Sequence, residues 1–304
     1  MSDDNDEPPE DIDALIDRQF ARLSPRLQQA ARFIVDNPTL VALRSMRALA
    51  SSAQVDPSTM VRLAQELGFP GYGPLRDSYR QKLFLDEAAR TRRAKQRRSQ
   101  KGALHAEAIV AEFLEQNRRN LKNTFLPEST ATMDEIAAIL RSARAVFVLG
   151  LRSLYPVSFF FHYVLRLFSD NSVLLTGTGG TFADDLRLAR EDDVLLVFGY
   201  RPYARDAMTA VRFARSQKLR IVAVTDSRVS PAAREADHVL VVANEAASML
   251  PTVIPFLAVA ETLATLILGG TGNEAIRRLE NSERQLRGLR VHDDEDPRRR
   301  NQPR

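Results

Sequence analysis

Residues 194–225 read VLLVFGYRPYARDAMTAVRFARSQKLRIVAVT, and the periodicity changes twice within them. Val194–Phe198 is an unbroken apolar run of strand length. A glycine-led loop follows, then Tyr203–Gln217 carries a helical pattern, and Arg220–Thr225 is a second short apolar run. A strand that is apolar on both faces must be covered on both, so this unit predicts a parallel sheet between helices. The alternation extends in both directions. Ala145–Leu149, Ser172–Leu175 and His238–Val242 are further apolar runs, with helical patterns at Tyr155–Phe168, Phe182–Ala189 and Ala232–Glu235. Met249–Leu268 and Glu274–Leu289 read as closing helices. An α/β domain on a five-stranded parallel sheet is therefore predicted over residues 143–290.

Before residue 90 no strand pattern occurs. Arg18–Leu23, Pro25–Val35, Met46–Ser52, Pro57–Leu67 and Leu75–Leu85 place apolar residues three and four apart, which predicts an all-α domain over residues 12–90. Ser24 and Asp56 each precede a proline, the arrangement of a capping residue followed by the first helical position. Residues 91–142 read as a polar helical connector, whose basic run from Arg90 to Lys101 is most simply a solvated helix face. Residues 291–304 read as a charged, disordered tail.

The remaining composition excludes more than it assigns. With 304 residues the chain has room for about two domains. A hydrophobic share of 44% and a charged share of 27% are those of a globular protein. There is no cysteine, and the four histidines are scattered without metal-ligand spacing, so neither metal nor cofactor is expected. Net charge is only +4. It is unevenly placed, because residues 76–101 hold ten Lys/Arg against three Asp/Glu, as a polyanion partner would favour. The acidic N-terminus lacks the pattern of a signal peptide. Leu250–Leu268 contains Pro251, Pro255 and Glu261, which favours a buried helix over a membrane span. A cytoplasmic protein with no membrane partner is expected.

Met46–Leu67 fits two helices crossing at a tight turn. Leu49, Ala50, Ala53, Val55, Met60 and Leu63 fill the places where such helices touch, with Ala50 small at the closest approach. The second helix then turns Ser58, Thr59, Arg62 and Gln65 outward, short donors and a guanidinium suited to base edges and phosphates. An ordinary amphipathic hairpin has the same spacing. The surrounding sequence adds Leu23-Ser24-Pro25, Phe33-Ile34 with Asn37-Pro38, Ser58-Thr59 with Val61-Arg62, and Leu67-Gly68-Phe69 before Gly71-Tyr72. These features resemble the N-terminal domain of the RpiR family of bacterial regulators. The resemblance implies a helix-turn-helix domain, a double-stranded DNA operator as partner, and Ser58, Thr59, Arg62 and Gln65 as its DNA contacts. Gln54 stands where that family commonly has glycine, which implies an unfavourable backbone angle at the turn.

If the strand order is 2-1-3-4-5, the switch point lies between the first and third strands, and ligands bind at such points. The loops there are Gly150-Leu151-Arg152-Ser153 and Gly199 to Arg205, each leading into a helix whose N-terminus favours an anion. Arg152, Arg201 and Arg205 add guanidinium groups, Ser153 a hydroxyl, and Thr176 opens a glycine-rich loop running to Thr181. Arg152, Ser153, Thr176, Arg201 and Arg205 are therefore the candidate ligand residues. Thr225-Asp226-Ser227 with Ser230-Pro231 and Ala236-Asp237 resembles the sugar isomerase (SIS) domain, a flavodoxin-like fold that follows the DNA-binding domain in RpiR-type regulators. That resemblance implies a phosphosugar effector. The third-strand loop lacks the small hydroxyls of phosphosugar-binding members, and Arg152 replaces a typical second glycine, which leaves a related sugar, a carboxylate or another anion open beside the phosphosugar.

Isomerisation needs a positioned base. Glu245, Glu261 and His162 sit in no recognisable motif, so no catalytic residue and no enzyme activity are expected. The leading reading is a DNA-binding regulator, dimeric or tetrameric, that senses a small anionic metabolite. Its dimer contact is expected along Met249–Leu268. The alternative is a phosphosugar isomerase with a helical assembly domain. A third reading is a sugar-binding module acting on another protein.

Overall fold

The computed structural model describes residues 12–80, 103–178, 182–246 and 251–291. The basic run from Arg90 to Lys101, the end of the Thr176–Thr181 loop, Met249, Leu250 and the tail from residue 292 lie outside the described residues.

The first part is entirely helical: α1 (Ile12–Gln19), α2 (Pro25–Asp36), α3 (Pro38–Leu43), α4 (Met46–Ser52), α5 (Pro57–Glu66) and α6 through residues 72–80. Helix α1 starts earlier than the apolar pattern indicates and gives way to a 3-10 turn at Phe20–Arg22, because Pro25 opens a new helix. Helix α3, too short for a periodic signal, was not expected; Pro38 stands at its first turn. Ile16, Ile34, Leu49, Met60, Leu63 and Leu75 are fully buried and form one core. Ser24 and Asp56 occupy N-cap positions as expected, but neither side chain makes a capping bond. Ser45 caps α4 instead, through the N–H of Ala48.

Helices α7 (Ala103–Thr124) and α8 (Pro127–Ser142) lead into the sheet. Met133, Ile136, Ala137 and Leu140 of α8 are buried in the same core as the strands. Then come β1 (Val146–Gly150), α9 (Tyr155–Arg166), β2 (Ser172–Leu174), α10 (Phe182–Leu186), β3 (Val194–Gly199), α11 (Arg205–Ser216), β4 (Arg220–Thr225), α12 (Pro231–Glu235) and β5 (His238–Val241). Helices α13 (Ile254–Gly269) and α14 (Asn273–Gly288) close the fold. All neighbouring strands pair in parallel in the order β2-β1-β3-β4-β5, the order anticipated from the sequence. One layer, with α8, α9 and α13, packs on one face of the sheet, and α11 and α12 pack on the other. Such double cover is why the strands read as unbroken apolar runs.

Helix α13 spends much of its apolar surface inside its own domain. Phe256, Val259, Ala260, Leu263, Ala264 and Ile267 are all buried against α8 and α9, so most of its apolar surface is used inside the domain rather than offered to a second copy. A more exposed apolar row lies on α9, where Tyr155, Phe159 and Tyr163 follow one another at single-turn spacing. Among the described residues no single helix is long and apolar enough to cross a membrane.

Candidate functional site

Helices α4 and α5 cross as the sequence requires. Leu49, Ala50, Met60, Leu63 and Ala64 are fully buried between them and α2, and Val55 is half-buried. The connecting turn places Gln54 at φ +55°, the left-handed angle implied by the missing glycine. Gln29 of α2 holds this turn by donating its amide N–H to the carbonyls of Ala53 at 3.0 Å and Gln54 at 3.4 Å. Helix α5 ends where Gly68 turns left-handed at φ +83°. The N–H of Phe69 there bonds to Ala64 O and that of Gly68 to Gln65 O.

The outer face of α5 shows Ser58, Arg62 and Gln65 exposed and Thr59 half-exposed. Among the described residues, none of these four side chains is tied by an intramolecular hydrogen bond. All four sequence candidates thus share one side of one helix. Arg26 of α2 and Thr59 line a shallow hollow of about 340 Å³ beside the turn, adding a cation next to α5. Neither Arg26 nor Gln29 carries a sequence signal, since both reach the turn from α2, outside the two helices that the turn joins.

At the other end of the chain, the exit loops of β1 and β3 meet around a cavity of about 270 Å³. Gly150 permits the tight exit from β1. A Cβ there would lie 2.6 Å from Leu154 O and 3.1 Å from Ser158. Arg152 then takes φ +57°, a left-handed angle at the position of the typical second glycine. Arg152 and Ser153 line the cavity with Tyr200, Pro202, Tyr203 and Met208. Ser153 Oγ and Tyr200 OH, 2.5 Å apart, join the two loops. Among the described lining residues there is no carboxylate and no imidazole.

The other candidates are placed elsewhere. Thr176 Oγ1 accepts the N–H of Thr178 at 3.1 Å and does not line this cavity. Arg205 is exposed at the start of α11. Arg201 points away from the cavity, and its Nη1 meets Asp13 of α1 at 2.5 Å. Burial works against the Arg201 charge, but the carboxylates of Asp13 and Asp226 outweigh it and hold the pKa raised. The loop backbone is fixed by Asp226, which accepts the Arg201 N–H at 3.0 Å and the Tyr203 hydroxyl at 2.8 Å. Burial, followed by the Asp226 charge, pushes the Tyr203 hydroxyl upward and keeps it a neutral donor.

Of the three residues weighed as isomerase bases, none lies at the cavity. His162 bonds through Nδ1 to Ser172 Oγ at 2.8 Å between α9 and β2, and burial followed by the Arg166 charge lowers its pKa. Glu245 accepts from Gln116 of α7, and Glu261 is exposed on α13.

Residues 11–83 match the helix-turn-helix domain of the rpiR family, and residues 139–266 match the SIS domain. The chain belongs to the rpiR family. This rpiR-family chain is a transcriptional regulator that carries a SIS domain. It is 22% identical over 286 residues to an uncharacterised HTH-type transcriptional regulator of Caldanaerobacter subterraneus subsp. tengcongensis, covering 91% of this chain and 97% of that one. The sugar isomerase domain of an RpiR transcription factor from Sphaerobacter thermophilus is 26% identical, with a TM-score of 0.52, over 58% of this chain and 97% of that chain. The Vibrio vulnificus NanR protein, whose structure is a complex with ManNAc-6P, has the same fold at 16% identity and a TM-score of 0.54, over 93% of this chain and 99% of that chain.

Proposed function

We propose that this regulator binds an operator in double-stranded DNA through α5 and senses a small anionic metabolite in the cavity between β1 and β3. The observation that carries the DNA part is the outer face of α5, where Ser58, Thr59, Arg62 and Gln65 stand on one side of a helix anchored from behind by Leu63 and Met60. A helix so presented suits a major groove, where arginine and amide side chains read base edges. One such helix touches too few bases for selectivity, so the working form is a homodimer or homotetramer. The functional division follows residues 12–90 for DNA, 91–142 as connector and 143–290 for the ligand, with α8 adding its buried face to the ligand domain. The cytoplasm is its place of action.

For the effector, the position at the strand switch point and the exposed Arg152 support an anion. The NanR complex with ManNAc-6P supports a sugar phosphate. The aromatic and apolar lining from Tyr200, Tyr203 and Met208 supports a ligand with an apolar portion, and carboxylates therefore belong in the same trial. The absence of carboxylate and imidazole from the described lining supports sensing rather than isomerisation. Mobility-shift titrations on DNA flanking the gene, with and without sugar phosphates and carboxylates, test both parts. A saturable, salt-sensitive shift that one metabolite moves is expected. Failure to shift any flanking DNA, or turnover of a sugar phosphate, defeats the reading.

A further inference from the structure

Helix α1 carries Asp13 and Asp17 one turn apart, and both reach the strand-end loops of the SIS domain. Asp13 takes the Arg201 guanidinium at 2.5 Å and accepts the Tyr79 hydroxyl of α6 at 2.9 Å. Asp17 accepts from Ser227 Oγ at 2.8 Å and from the N–H of Arg228 at 3.0 Å, in the loop after β4. In the same loop, Val229 is fully buried in the core of the helical domain. The helical domain is thus docked at the end of the sheet where the cavity opens.

Arg201 belongs to both places. Its chain neighbours Tyr200 and Pro202 line the cavity, while its guanidinium leaves toward α1. We propose that Arg201 is a shared residue, for which Asp13 of the helical domain and an anionic group of a ligand in the cavity compete, so that ligand binding releases α1 from the strand-end loops. This rests on the ligand site proposed above and describes its regulation.

The energetics favour competition over sharing. The side chains of Arg201 and Asp13 are only 29% and 15% exposed. A partner lost from such a pair leaves a poorly hydrated charge behind, which costs far more than breaking an exposed pair. A ligand anion that draws the guanidinium toward the cavity takes Arg201 from Asp13, and the hold of α1 on the loop after β3 weakens. Linkage makes the effect reciprocal: whatever loosens α1 from Arg201 strengthens the anion site by the same factor.

Asp13→Asn tests this in the full chain. The amide is isosteric and its oxygen still accepts from Tyr79, so the variant keeps its fold, which a circular-dichroism melt verifies. Calorimetry with inorganic phosphate and, separately, with acetate measures the anion site. Hydrogen exchange at residues 226–230 measures docking. The variant is expected to bind at least one of the two anions about 5–150-fold more tightly than the parent, the usual range of coupling between sites. Exchange at 226–230 should be faster in the variant, and saturating anion should raise the parent toward the same level. Tightening with phosphate alone identifies a phosphoryl group as the competitor, and tightening with acetate alone identifies a carboxylate. Equal or weaker binding of both anions by the variant overturns the proposal. So does anion binding to the parent without faster exchange at 226–230, or no binding of either anion to either protein. A mobility shift on the parent separates the two readings. A metabolite-responsive shift together with unchanged anion affinity in Asp13→Asn removes the competition and leaves the regulator intact.

Discussion

Arg62 and Arg201 were equal candidates by residue type, yet the fold treats them in opposite ways. Arg62 lies on α5, where Met60, Leu63 and Ala64 are fully buried and thereby fix the outward direction of every other position on the helix. Arg201 lies in the loop after β3, where no repeat sets direction. Its side chain goes to Asp13, a residue 188 positions earlier in the chain. A helix converts spacing into direction, so one buried face determines the opposite face. A loop side chain is directed by whatever partner the rest of the fold brings to it.

Exchanging the two arginines for alanine should break this contrast most visibly. Arg201→Ala is expected to lower unfolding stability by about 2–3 kcal/mol, less than a fully buried pair because the guanidinium keeps some water. Urea denaturation of the full chain measures it. Arg62→Ala should leave the denaturation curve almost unmoved and weaken specific operator binding by about 1–3 kcal/mol, as for an arginine that reads a base. Operator affinity equal to the parent's would show that Arg62 is a solvated surface residue.

A smaller effect tests the turn that aims α5. Gln54 holds a left-handed angle at a cost of about 1–2 kcal/mol, part of which glycine returns as extra freedom in the unfolded chain. Gln54→Gly is therefore expected to raise stability by about 0.5–1 kcal/mol in the same urea experiment. The backbone carbonyl that Gln29 holds is unchanged by the substitution.

The smallest effect lies in the α/β core. His162 has its pKa lowered below 6.5 by burial and then by Arg166. A base with a depressed folded pKa binds protons less well when folded than when unfolded. Its contribution is therefore present above pH 6.5 and is lost as pH falls through the folded pKa. Thermal melts from pH 7.5 to 5 should fall more steeply for the parent than for His162→Gln. Identical slopes would mean that the imidazole titrates normally.

Much of the fold was legible because its signals are local and repeated. The five apolar runs became five strands, and the expected strand order followed from the usual winding of such units. One short element was not legible: α3 has only six residues, too few for a period to develop, whereas the patterns at Phe182–Ala189 and Ala232–Glu235 did mark α10 and α12. Capping was read at the right positions but with the wrong bonds at Ser24 and Asp56, since side-chain rotation is decided by surroundings and not by residue type. The DNA-facing row of α5 was readable from the helix period. Of the five ligand candidates, the structure brings Arg152 and Ser153 to the cavity and leaves Thr176, Arg201 and Arg205 away from its lining. The acidic residues of α1 gave no sign of their role, because Asp13 and Asp17 acquire it only across a domain boundary.

Val229 gives the docking a consequence for how the protein is made. This side chain comes from the SIS domain but completes the core of the helical domain. On the ribosome the helical segment emerges long before β4 and the loop that follows it, so for that interval its core has an open apolar place. Domains otherwise fold largely as they appear. Here the helical core gains its last buried apolar side chain, Val229, only after β4 and the loop behind it have been made.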